Sequence, residues 1–449
     1  MQDFKKRLIS AMLSAMCVVY ALTGCQKSQS EISSDSEALE DMGDRKNGGE
    51  RMQLEKDDNG RAKAPPIEIA GWLPENLINE TLSLIEKSFP DQKIVYRYIA
   101  KTNYSSIIDI ELADGRGPDI MFEDYPTMLN HASQEYIVKQ NELGSLYSEE
   151  GTKNFTYKGD IYAIPGLCQY SGIYCNKDIF ELYEMEIPKS YEDFYNVCMK
   201  CKENGIKPLS MGIYQWDILQ VCSMAYVTAD YLTTEAGDDF GEKYSKNQTS
   251  MRYTWRPYMD GWAKMVESEI ITKEMLIEDD PYAIAEFADG KSAMLCGYSS
   301  SYSEIVALKP SLNFIMIPYY DSTGENPLLI GGAMYGFALN ANSKNYDVAQ
   351  QVLELLSTYD GQMAMWRDQR GADSYLTGVR LRKPSELKGL QEVIDKKRVY
   401  MPWTEWGFAS GAYMDFGINL QRYIRGEISM DMVLFETDSV ARSLINHND

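Results

Sequence analysis

The sequence predicts an α/β protein, and three observations carry that reading. Short apolar strands alternate with helical stretches over residues 67–122, helical patterns dominate residues 190–290, and strand-like runs return over 293–339. At 449 residues the chain has room for two domains of ordinary size.

The elements follow in order. Residues 67–70 (Ile-Glu-Ile-Ala) read as a strand ending at Gly71-Trp72. Pro74 then opens a helix whose inward face is Leu77, Leu82, Leu84 and Ile85. A strand over 93–99, a helix from about Tyr104 stopped by Asp114-Gly115, and a buried strand at 119–122 complete a pattern expected of a largely parallel sheet. Loops past the carboxyl ends of such strands form ligand crevices, and Trp72 and Glu123-Asp124-Tyr125 lie just there. Residues 157–162 read as a turn entering a strand that runs to Pro165. A second strand, 172–176, follows the polar gap Gln169, Tyr170 and Ser171. Ser190-Tyr191-Glu192-Asp193 resembles a capping box, and Asp280-Pro281 and Asp289-Gly290 bracket another helix. Strands are expected at 293–296, 313–317 and 334–339, with mostly helix from Lys344 onward.

The amino terminus has a leader pattern: Lys5, Lys6 and Arg7, then an apolar run over 8–21 that is short for a membrane span. Leu22-Thr23-Gly24-Cys25 resembles a bacterial lipobox. The expectation is a signal peptide over 1–24, acyl chains such as palmitate on Cys25, and a flexible polar tether over 25–64. The protein would then sit on the outer face of the cytoplasmic membrane, facing the periplasm where there is an outer membrane.

Net charge is −23, and shedding three cations and one anion with the leader takes it to −25. Such a surface argues against nucleic acid and anionic lipid as partners. With Cys17 in the leader and Cys25 lipidated, Cys168, Cys175, Cys198, Cys201, Cys222 and Cys296 remain. Cys198-x-x-Cys201 falls in a helical pattern and lacks histidine partners, His131 and His447 being the only two, so buried free thiols are expected there. No metal and no cofactor is expected.

Four segments, in order, resemble the extracellular solute-binding proteins of ABC importers, especially the carbohydrate-binding type. They are Ala113-Asp114-Gly115-Arg116-Gly117-Pro118-Asp119-Ile120; residues 157–165 continuing through Gly172-Ile173-Tyr174-Cys175-Asn176-Lys177-Asp178; Asp289-Gly290-Lys291-Ser292-Ala293-Met294; and residues 331–340. The resemblance implies a two-lobed, periplasmic-binding-protein-like (type II) fold with a hinged cleft. Lobe one would hold 65–167 plus 330–371, and lobe two 168–329 plus 372–449. It further implies a monomer that takes a small solute, most often a sugar, and hands it to permease subunits.

A sugar needs aromatic faces for its C–H surfaces and paired donors and acceptors for its hydroxyls. Trp255 and Trp262, seven apart in a helical stretch, read as core, and Trp366 as structural. Trp216 opens a helix past a strand-like run and, with Tyr214, lies where the resemblance places ligand contacts. At least one of Trp403 and Trp406 is expected in the cleft. Glu123 and Asp124 are acceptor candidates, Asp124 also reading as a helix cap. Gln169 and Tyr170 lie on a crossing segment, and Gly332, in Gly331-Gly332, would let backbone approach a ligand. Where many relatives carry a tryptophan after the 293–294 strand, this chain has Tyr298 and Tyr302, either of which can stack. No catalytic residue is expected. The competing readings are an anchored glycoside hydrolase and a binding or sensor protein for a non-sugar solute.

Overall fold

Alternating β-branched residues start the first sheet. In the computed structural model, which describes residues 65–448, β1 (Ile67–Gly71) pairs in parallel with β2 (Ile94–Tyr98) and with β3 (Ile120–Glu123). Helices Asn79–Ser88 and Lys101–Ala113 make the two crossovers. The signal peptide, Cys25 and tether fall outside the described residues. Among those described, no helix is long and apolar enough to cross a membrane.

A small ribbon of β4 (Thr156–Tyr157) and β5 (Asp160–Ile161) precedes β6 (Ile164–Pro165), so the run expected as one strand breaks into three pieces. Lys158 and Gly159 turn the ribbon with positive φ. The second sheet begins with β7 (Cys168–Asn176) and continues through β8 (Lys207–Ser210), β9 (Ser292–Tyr298), β10 (Phe314–Ile317) and β11 (Leu329–Ala333). The chain returns to the first sheet as β12 (Gly336–Leu339), and β13 (Val399–Tyr400) closes the second sheet's edge. The first sheet runs β2-β1-β3-β12-β6, with β12 antiparallel to both neighbours. The second runs β13-β11-β7-β9-β8, with β10 also on β7.

β7 is four residues longer than its apolar pattern indicates. Its polar start is satisfied inside the protein: Ser171 Oγ meets Tyr319 OH at 2.6 Å, and Tyr170 OH donates to the Gly371 carbonyl at 3.0 Å. Paired in this way, polar residues can occupy a buried strand. β11 was not expected as a strand at all. Gly331 explains it, because a Cβ there would lie 2.1 Å from the Gln169 carbonyl oxygen, and only glycine allows so close an approach.

Each sheet has its own core. Ile69, Ile108, Phe122, Phe337 and Leu353 belong to the first; Met294, Trp216, Trp255, Trp262 and Phe416 belong to the second. Trp255 and Trp262 are fully buried, as their spacing predicts. A disulfide ties Cys222, on helix Asp217–Val227, to Cys296 on β9, while Cys168, Cys175, Cys198 and Cys201 are free and buried. No group of three or more His, Cys, Asp or Glu among the described residues is arranged to hold a metal.

The chain passes from the first sheet to the second between Pro165 and Cys168, and returns between Ala333 and Gly336. The return expected at residue 330 thus comes later, because β11 stays on β7 through Ala333. The first core also takes Ala372 and Leu376, just beyond the expected boundary at 371. Replacing Gly331 by alanine should lower the urea unfolding midpoint by an amount equivalent to about 1–3 kcal/mol, the usual cost of overpacking. An unchanged midpoint would show that the strand contact tolerates a methyl group.

Candidate functional site

The carboxyl edge of the first sheet's parallel strands supplies three groups. Trp72 follows β1, Lys101 opens the helix after β2, and Asp124 follows β3 as the N-cap of helix Tyr125–Ser133. The second lobe answers with Trp216, at the start of helix Asp217–Val227, and Tyr298, at the end of β9. It also supplies Trp403, in the turn Pro402–Glu405, and Tyr413, at the start of helix Tyr413–Arg425.

These groups meet. Tyr413 OH donates to Asp124 Oδ2 at 2.7 Å across the two lobes. The Lys101 ammonium lies 5.0 Å from the Trp72 ring centre, 5.6 Å from Trp216 and 5.9 Å from Tyr413, with Asp124 Oδ2 at 4.0 Å. Trp216 meets Tyr413 edge-on at 5.1 Å, and Trp403 stacks on the same ring at 5.4 Å. Tyr298 OH donates to Asp217 Oδ2 at 3.3 Å. Burial, reinforced by Asp124, raises the pKa of Tyr413, and burial with Asp217 and Asp280 raises that of Tyr298. Both hydroxyls therefore remain donors at neutral pH. Asp280 is itself pushed up by burial and by the Asp217 and Glu304 carboxylates. The arrangement gathers aromatic rings, one cation, and several donors and acceptors where the two lobes meet, with Trp216, Trp403 and Tyr413 buried against one another.

Of the expected site residues, Trp72, Asp124, Trp216, Tyr298 and Trp403 come together here. The others do not. Glu123 is buried and turns into the first lobe, where His131 Nδ1 lies 2.7 Å from its Oε1; strand alternation sends neighbouring side chains to opposite faces. Gln169 is buried beside the cluster, donating to Gln369 and accepting from Ser300 at 3.1 Å. Tyr170 lies in a small core and bonds Gly371, Asp373 and Lys383. Tyr214 is exposed, Gly332 faces Met401 and Asn154, and Trp406 packs among Phe240, Tyr244 and Trp255. Tyr302 packs near Phe314.

Sequence reasoning missed Lys101 and Tyr413. Position was the available signal for Lys101, which follows a parallel strand as Trp72 and Asp124 do. Tyr413, one of 32 tyrosines, has no local mark.

The profile of the family described as bacterial extracellular solute-binding protein matches residues 68–363. This chain belongs to that family. Among curated relatives of this solute-binding protein, an uncharacterised ABC transporter extracellular-binding protein of Pyrococcus horikoshii is 23% identical over 298 residues. That alignment covers 62% of this chain and 63% of the archaeal protein, a little under two thirds of its length. A multiple sugar-binding protein of Streptococcus mutans is 18% identical over 368 residues, 76% of this chain and 83% of that one. Among solved structures, a chitin oligosaccharide binding protein superposes with a TM-score of 0.70 at 18% identity, over 86% of this chain and 100% of that chain. A Bacillus licheniformis sugar transporter in complex with stachyose gives 0.70 at 15%, over 84% and 100%. These likenesses establish the two-lobed α/β fold.

His131 gives a pH prediction. Burial opposes its charge, but the carboxylates of Glu123 and of Asp109, at 2.7 Å from Nε2, outweigh it and push its pKa up to about 10. The folded state holds this proton more tightly than the unfolded chain, whose histidine titrates near 6.5. The stabilisation is therefore complete below about pH 6.5 and is lost as pH rises toward 10. Urea unfolding of the solute-binding protein should show stability falling across that range, and His131→Gln should flatten the fall. Equal slopes in the two proteins would contradict it.

Proposed function

We propose that this protein binds an oligosaccharide between its two lobes and passes it to an ABC permease. The lobes are assigned as 65–167 with 334–376 and 168–333 with the remaining carboxyl-terminal chain, with the lipid on Cys25 as membrane anchor. The observation that carries the proposal is the meeting of Trp72, Lys101 and Asp124 from one lobe with Trp216, Trp403 and Tyr413 from the other. A solute held there touches both lobes only when they are closed, so it favours closure by its difference in affinity for the two states. Moving such a balance from 1:99 to 99:1 takes about 5.5 kcal/mol, within reach of a few stacking and hydrogen-bonding contacts. The sugar class is supported by the Streptococcus mutans relative and by the chitin-oligosaccharide and stachyose-bound neighbours.

Raffinose, stachyose and chitotriose form the test panel, with calorimetry and product analysis on the same samples. At least one should raise the melting temperature and bind without being cleaved. Trp72→Ala and Trp216→Ala should each weaken that binding about ten- to a hundred-fold, on the scale of buried aromatic anchors. Cleaved product would favour a hydrolase, and binding unchanged in both variants would remove the solute from this cleft.

A further inference from the structure

Residues of both lobes also line a second, open cavity of about 920 Å³, which shares none of the residues described above as the site. Its volume lies in the range of small-molecule pockets. Strand alternation places it on the far side of the crossing strands. Gln169 points toward Gln369, which donates to Tyr335 OH at 3.0 Å, and Tyr335 lies 6.4 Å from the Trp72 ring. Its neighbour Cys168 lines the second cavity instead, as do Gly331 and Gly332. Trp403 and Trp406 divide in the same way: Trp403 stacks on Tyr413, whereas Trp406 lines the second cavity.

Three features mark this cavity as a binding site. Tyr375 and Tyr400 line it with aromatic rings from the two lobes, backed by the core rings of Phe240 and Trp406. One wall is the π-helical turn Thr228–Leu232, which extends helix Asp217–Val227; such turns recur at functional sites. Within that turn Thr228 is 1% exposed, lines the cavity, and its Oγ1 has no hydrogen-bond partner. A buried hydroxyl in that condition is costly unless an incoming group satisfies it.

The charges at the rim select the ligand class. Lys153 is paired with Glu405 at 2.8 Å and Lys397 with Glu150 at 2.7 Å, both bridging the lobes. Asp238, Asp373 and Asp395 add negative charge and Arg380 positive charge, so five acidic side chains face three basic ones, a balance that disfavours anions. Aromatic walls with neutral donors and acceptors, such as Asn154, Thr228 and Thr404, fit an uncharged polyhydroxylated molecule.

We infer that this cavity is a second saccharide-binding site, separate from the Trp72–Tyr413 cleft. It stands on its own lining and does not require the first cleft to be a sugar site. The test uses the full chain with raffinose, stachyose and chitotriose, titrated to about 50 mM by calorimetry and by tryptophan fluorescence. Four proteins are compared: wild type, a Trp72→Ala/Trp216→Ala double variant, and that double variant carrying Thr228→Val or Tyr400→Ala. Thr228→Val keeps the side-chain shape and Tyr400 is only half-buried, so both should fold. The double variant should retain binding of at least one sugar. Thr228→Val should weaken the retained binding about five-fold and Tyr400→Ala about ten-fold. Complete loss of binding in the double variant, or retained binding that ignores both added changes, would overturn the second site. Failure of the first cleft reads differently: the double variant then binds as wild type does, while Tyr400→Ala still weakens it.

Discussion

The close contact between β7 and β11 is the constraint on which the molecule depends. With no side chain at Gly331, the two strands lie nearly in van der Waals overlap at the Gln169 carbonyl. The pairing Gly332–Gln169 and Ala333–Cys168 then holds the outgoing and returning passages together, and the Cys168–Asp373 bridge adds the third. Three passages bonded to one another connect the two lobes. The same pleat sends Gln169 to one side and Cys168 to the other, so the lobes have two distinct facing surfaces.

On the Gln169 side, the chemistry centres on Lys101. Its side chain is only 17% exposed, and its charge is offset by three aromatic faces and the Asp124 carboxylate rather than by one tight ion pair. A cation held by ring faces and a carboxylate at 4.0 Å keeps its donors free to turn toward other acceptors. The acceptors nearby, Asp124 and Asp217, each already take a tyrosine hydroxyl. In the closed arrangement these donors and acceptors are paired with one another, Tyr413 with Asp124 across the lobes, so a solute entering there exchanges its hydroxyls for those contacts.

Much of this was legible in the residues, and the failures have physical causes. The parallel strands at 67–71 and 120–123 announced themselves by apolar runs, and the strand-end rule placed Trp72 and Asp124 at the carboxyl edge of the first sheet, where the structure has them. It also picked Glu123, which the pleat turns inward to a buried histidine. β11 and the start of β7 were hidden because glycine and polar side chains carry no strand pattern, and tertiary partners decide their state. Trp403 and Trp406 sit three apart, yet one stacks at the cleft and the other in the second lobe's core, a division set by turn geometry. Tyr413 could not be singled out because its role arises only when the two lobes meet.

The central claim is that solute lies between the lobes and touches both. A crystal structure of the protein grown with the tightest-binding oligosaccharide tests it most directly. The account predicts sugar density against Trp72 and Trp216 or Tyr413, with hydroxyls bonded to Asp124 and Lys101. Density confined to the outer surface of one lobe, with those groups unoccupied, would contradict it.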